Sequence, residues 1–497
     1  MYTDIVEPQL VGDHFVQLLR CVPALGSADK LITLTYNKLH YVPVNKQHID
    51  TITFEIKMDQ NRNVSFRYGK AFVHNGSEEC VKSELDLFEL SPTQTSIEKS
   101  IYVEIPLSAL SETAPLDFYI AGHGEDYIDL NNTLLHLTCK IVKEDGSDID
   151  AAAKVALVNY LIASIFSQLD VTLGDQLISQ SNNCYPYRAL IELILNYGEG
   201  ALKSQFTSGP FYKDTAEHHN IRDIGARNVG FTERAHFTTS SHKVELLGHL
   251  HSNLFFQEKL LNSIDLKIKL SRNKNSFCLM SGDADQNYKL LILNAALFVK
   301  RVKVAPGVRL GHAEALLKAN VKYLIDRVGL KVFIIPAGTH VINQENLFLG
   351  QLPKLIVLGF VDNDAFSGNY AKNPFNFKHY DINFAALYVD GEQVPEKPLQ
   401  PDFENGNCVI QATGKHLKDN ALLVDRQEFY RGYMLLAFDL SPDQDCADHY
   451  SLIKTGNLRA KICFARALPH TVNMIVYGIF DNVIEINLRR NVLFDLS

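Results

Sequence analysis

The chain lacks tryptophan altogether, and none of its eight cysteines forms a C-x-x-C pair. Single, scattered cysteines supply neither a zinc ribbon nor a dithiol redox motif; they fit buried thiols in a reducing compartment. No apolar run approaches the ~18 residues that a membrane helix needs. The longest, residues 290–299, contains Asn294 and stops at Lys300-Arg301, so it reads as a buried strand. Positive charge is also short. Against 57 Asp and Glu stand 48 Lys and Arg, a net −9. A surface that coats duplex DNA would carry a basic patch. Here the basic clusters are small (Lys300, Arg301 and Lys303; Arg489 and Arg490) and read as solvated strand ends. Sequons occur at Asn63, Asn75 and Asn131, but no secretory signal precedes them, so they read as chance.

Catalytic signatures are missing too. The chain has no G-x-S-x-G, no H-E-x-x-H and no P-loop. GHGEDY at 122–127 has a G-x-G but no third glycine, and reads as a turn. DNDAFSG at 362–368 superficially resembles a calcium loop. Its glycine falls late and the closing glutamate is absent, so a polar turn between strands is expected. His218-His219 and the pair His249 and His251 lack a third ligand at convincing spacing, and are read as surface or packed histidines.

What is present is a repeated β signature. QLDVTLGDQLIS at 168–179 and FAALYVDGEQVP at 384–395 each place a two-residue turn between short apolar runs. The turns are Gly174-Asp175 and Asp390-Gly391, the residue types that tight hairpins need for positive φ. An aromatic–Arg element follows each: Tyr185-Pro186-Tyr187-Arg188 in one half, Phe429-Tyr430-Arg431 in the other.

Strands are expected at 51–58, 64–68, 117–120, 134–142, 244–250, 263–270 and 290–304. In the second half they are expected at 331–335, 356–361, 382–389, 433–438, 457–464 and 472–480. Turns are expected at 61–63 and at Asp145-Gly146. Residues 155–169 read as helical or irregular. RALIELILNY at 188–197 has helical spacing and ends at Gly198, a candidate C-cap. LGHAEALLKAN at 310–320 reads as a helix joining the halves. The polar stretch 203–244 is expected to be a long loop or an inserted tower. Short strands, turn residues and no βαβ alternation indicate β-sandwiches.

Several long strings carry a resemblance. They are SEECVKSELDLFELSPTQTSIEKS (77–100), GEDYIDLNNTLLHL (124–137), SNNCYPYRALIELILNYG (181–198), LPKLIVLGFVDNDAFSGNYAKNPFNFKHYDIN (352–383) and NMIVYGIFDNVIEINLRRNV (473–492). Over residues 71–497 the chain resembles the major capsid protein of Polinton (Maverick) elements, virus-like DNA transposons of eukaryotes. The resemblance implies an all-β double jelly roll, two tandem eight-stranded antiparallel sandwiches with a few short helices and long loops. It divides this chain into an arm at 71–100, one roll at 101–305 and a second at 306–497 that opens with a connecting helix at 306–320. It also implies a homotrimeric, pseudo-hexagonal capsomer tiling an icosahedral shell, with double-stranded DNA a partner only indirectly. No catalytic residue, metal or cofactor is implied, nor any membrane insertion. The implied location is inside a eukaryotic cell, in nucleus or cytoplasm, and in a virion where particles form.

Residues 1–70 depart from that pattern. TDIVEPQLVGD (3–13) and HYVPVNKQHIDTITFEIKMD (40–59) resemble the C-terminal part of the Polinton minor, or penton, capsid protein, a single jelly roll. The join falls near residues 68–71. Two other functions compete with a shell protein. A β-sandwich glycan- or protein-binding module would show clustered exposed aromatics at one loop end. A β-sandwich hydrolase would show a cleft with converging titratable groups.

Overall fold

A computed structural model describes residues 94–494 except 108–109, 123–124, 263, 284–286, 404–422 and 443–451; before residue 94 it describes only four short strands. Met1–Pro92 and Thr93–Ser497 form separate compact units. In the first, Tyr2–Thr3 pairs with Phe54–Glu55 and Gln9–Val11 with His14–Val16. Phe54–Glu55 lies within the strand expected at 51–58. The turn at 61–63, the strand at 64–68, the join at 68–71 and the polar stretch to residue 93 lie outside the described residues.

Eight strands build the main sheets of the first roll: β1 (Ile97–Pro106), β2 (Leu116–Ile120), β3 (Asp126–Lys143), β4 (Phe166–Leu173), β5 (Gln176–Gln180), β6 (Val244–His249), β7 (Leu266–Arg272) and β8 (Tyr288–Val304). They form two antiparallel sheets, ordered β1-β8-β3-β6 and β2-β7-β4-β5. Eight more build the main sheets of the second roll: β9 (Val321–Ile335), β10 (Val341–Gln344), β11 (Leu355–Asp362), β12 (Ile382–Val389), β13 (Glu392–Leu399), β14 (Leu435–Asp439), β15 (Leu458–Phe464) and β16 (Val472–Ile486). Their sheets run β9-β16-β11-β14 and β10-β15-β12-β13. The second order is the first with every strand advanced by eight, so the duplication suggested by the hairpins extends to the whole topology. This is a double jelly roll.

The first roll shows the half-buried alternation of a sandwich. In β3, Leu135, Leu137 and Cys139 are buried while residues 134, 136, 138 and 140 are partly exposed. Two central strands of the second roll depart from it. In β11 and β16 nearly every residue is buried. Alternate side chains face two cores: Ile356, Leu358, Phe360, Met474 and Val476 fill the second roll, while Val357, Val361, Ile475 and Tyr477 pack into the core of the first. One sheet is therefore covered on both faces, which explains the unbroken apolar runs IVLGFV and MIVYGIF. Gly359 in β11 permits this. A Cβ there would come within 2.8 Å of the Phe377 ring.

Several expectations are corrected. The first strand starts at Ile97, inside the stretch assigned to an arm ending at 100. Residues 155–169 hold a strand (Val155–Leu157), one helical turn (Leu161–Ser164) and the start of β4. The helix read at 188–197 runs Tyr185–Asn196, with Pro186 in its first turn, where its missing N–H costs nothing. Gly198 is not its left-handed cap: its φ is −78° and it opens the next helix, Glu199–Leu202. The connecting helix is Pro306–Leu316. DNDAFSG is one helical turn, Asn363–Ser367, N-capped by Asp362. The segment 203–244 is not a polar loop or tower. It contains the helix Val229–Thr238, buries Phe206, Phe231 and Arg234, and packs against the second roll.

Candidate functional site: the seam between the rolls

The chemically dense part of the molecule is where the rolls meet, and both aromatic–Arg elements lie there. Helix Tyr185–Asn196 projects Tyr187 into a cage of second-roll rings: stacked on Phe366 at 5.3 Å and edge-on to Phe375 at 5.6 Å. Its hydroxyl donates to Pro374 O at 3.2 Å.

The next residue, Arg188, is 1% exposed. Its guanidinium donates to Glu192 (2.8 Å), Ser179 Oγ (3.1 Å) and Asn253 Oδ1 (2.7 Å). Asn253 Oδ1 also accepts from Val328 N of β9 at 3.1 Å, so the network crosses the seam. The other Glu192 oxygen lies 2.9 Å from His251 Nδ1, and His251 Nε2 lies 2.8 Å from Tyr160 OH. Burial pushes the Glu192 carboxyl up, but Arg188 and the hydrogen-bonded His251 outweigh it and hold it below its ordinary value.

Tyr–His–Glu in hydrogen-bonded series has the connectivity of a catalytic triad. All three side chains are nonetheless buried. Burial also drives the Tyr160 hydroxyl well above its ordinary value, the wrong direction for a nucleophile. The buried thiols of Cys139, Cys184 and Cys278 are likewise pushed up to about 12. The arrangement suits a structural strut, in which every buried charge has a partner.

The second network is built on segment 203–244. Buried Arg234 pairs with buried Asp214 at 2.6 Å and donates to Leu157 O at 2.8 Å. Asp214 also accepts from Asn228 Nδ2 at 3.0 Å and, across the seam, from Asn373 Nδ2 at 2.9 Å. Its carbonyl accepts from Tyr433 OH at 2.6 Å. Lys213 reaches Glu428 and donates to Leu423 O. The second aromatic–Arg element completes the joint: Arg431 O accepts from Glu217 N at 2.6 Å.

The remaining sequence-selected residues lie apart. Gly174 (φ +60°) and Asp175 join β4 to β5, with Gln176 opposite Leu173. Asp390 (φ +51°) and Gly391 (φ +93°) join β12 to β13, with Val389 opposite Glu392. Positive φ at both residues is the type I′ pattern, whereas positive φ at Gly174 alone matches type II′. His249 ends β6 and His251 lies beyond it, inside the Glu192 network. No group of three potential metal ligands occurs among the described residues. Asp362 instead bridges Lys372 at 2.9 Å and His470 at 3.1 Å.

A groove of about 690 Å³ lies at one end of the second roll, beside Gln351, Lys354, Asp390, Asp439 and Leu452. It contains neither buried network. Sequence reasoning missed Arg234, Asp214 and Asn373, because their partners lie up to 219 positions away.

No family model matches the chain. It is 24% identical to an uncharacterised Caenorhabditis elegans protein, F54H12.2, over 81% of this chain and 99% of that one. Among solved structures, a chain of the Sputnik virophage aligns with a TM-score of 0.59 at 12% identity, covering 86% of this chain and 95% of that one. The Faustovirus major capsid protein aligns with a TM-score of 0.52 at 8% identity, covering 81% and 92%. The shared fold is the double jelly roll of viral capsid proteins. At these identities the likeness is one of architecture. Each alignment spans most of both chains.

Proposed function

We propose that this chain is the major capsid protein of a Polinton-type element, a structural shell protein and not an enzyme. The observation that carries the reading is the repeated eight-strand order in two rolls locked by buried networks. Two similar rolls in one chain give a three-chain ring a pseudo-six-fold outline, and closed symmetry is the default for self-association. The long strings shared with Polinton capsid proteins support the transposon context. Residues 1–70 are, on the same grounds, a segment related to the minor capsid protein. The place of action is the virion shell, assembled inside a eukaryotic host cell, with other capsomers and the penton protein as partners.

A glycan-binding module is the weaker reading. Among the described residues the exposed aromatics are Tyr102 in β1, Tyr119 in β2 and Phe237 in a helix, not a cluster at one loop end. No helix among the described residues is long and apolar enough to cross a membrane.

Light scattering and negative-stain microscopy of the full chain test the proposal. The expected result is a three-chain species at micromolar concentration, with rings or shells on the grid. A strictly monomeric protein across salt and pH would overturn it.

A further inference from the structure

His219 sits at the centre of the seam and is 1% exposed. Its main-chain carbonyl is held by the side-chain amides of Asn228 at 3.5 Å and Asn373 at 3.4 Å. Its ring is not held: among the described residues neither Nδ1 nor Nε2 has a hydrogen-bond partner. The imidazole lies 4.7 Å from the Tyr433 ring and directly over Gly432 of the second roll. Gly432 has φ +116°, and a Cβ there would lie 2.2 Å from the imidazole Cε1. The second roll therefore presents a side-chain-free cradle fitted to this ring. A neutral imidazole fills it as an apolar plate would.

The charges around the ring do not welcome a proton. Asp214 favours the charged form, but Arg234, Lys213 and Lys378 oppose it. The Asp214 carboxylate is already engaged by Arg234, Asn228 and Asn373. Lys213 is bound to Glu428, and Arg431, beside Gly432, is directed at Glu217 at 3.7 Å. Tyr433 donates its hydroxyl proton to Asp214 O and has none left for the imidazole.

We propose that His219 makes the seam an acid-operated joint: neutral, it docks the second roll on the first; protonated, it becomes a buried cation without an acceptor and releases that docking. Burial lowers its pKa from 6.5 to about 4. A group whose folded pKa is depressed contributes its full stability above the unfolded value. That contribution is lost as pH falls from about 6.5 toward 4. His249 and His379 are lowered by burial in the same direction, so the comparison that isolates His219 is between variants at each pH.

The full chain is melted between pH 7.5 and pH 4.5 as wild type, His219→Phe and His219→Gln, with hydrogen exchange at pH 7 and pH 5 corrected for intrinsic rates. On acidification the wild-type melting temperature should fall about 5 °C further than that of either variant. At pH 5, wild-type exchange should rise at least tenfold over the variants around Glu217 and Asn373, whose amides bond across the seam, and not in β7. If Phe overfills the cradle and prevents folding, Gln decides. Either variant keeping the full wild-type pH slope overturns the proposal, as does faster exchange spread equally into β7.

Discussion

Replacing Arg188 with methionine would leave the helix and much of the side-chain volume in place while removing one buried cation. The wild-type guanidinium satisfies Glu192, Ser179 and Asn253 at once. Without it, Glu192 keeps, among the described residues, the hydrogen bond with His251 at 2.9 Å. Breaking a buried pair by deleting one member costs about 3–5 kcal/mol, because the survivor is an uncompensated charge. For a roll of roughly 200 residues that is a fall in melting temperature of about 8–15 °C. The double variant Arg188→Met/Glu192→Leu removes the orphaned carboxylate as well, so it should recover much of the loss. A double-mutant cycle by calorimetry or urea titration measures that coupling.

The pH dependence supplies a second check. In the wild type the Glu192 carboxyl is held below its ordinary 4.5, so its contribution is complete above 4.5 and declines as pH falls below it. In Arg188→Met burial dominates, and the carboxyl should take up a proton at higher pH. The variant should then be relatively less destabilised in acid than at pH 7. A single-variant cost under about 1 kcal/mol, or strictly additive losses in the cycle, would refute the view that this network is a charged strut.

Further predictions concern the hairpins and the N-terminus. Gly391→Val should cost about 1–3 kcal/mol, because a β-branched residue resists φ +93°; an unchanged melt would refute the strain argument, since a Cβ there meets nothing within 4 Å. Deleting residues 1–70, with a new Met before Ala71, should leave melting temperature and assembly intact and improve solubility. Unfolding of the remainder would make those residues part of the fold.

Local sequence determined most of the strand map. Ile382–Val389 stands where the alternation places it, because Asp390-Gly391 ends it with a turn of definite handedness. β8 and β16 extend beyond or along their apolar runs because cross-strand pairing continues through polar positions; in β8 the register shifts around Asn294 and again before Lys300. The unbroken run IVLGFV marked a strand, and only the fold showed that its two faces enter two different cores. Tertiary structure alone decided the meaning of segment 203–244. Its His, Asn, Asp and Arg residues look like solvated polarity in one dimension. Folded, Asp214 meets Asn373 and Tyr433, and His219 meets Gly432, at separations in the chain that no local pattern encodes. A polar residue's environment depends on its partner, and here the partners were supplied by the other roll.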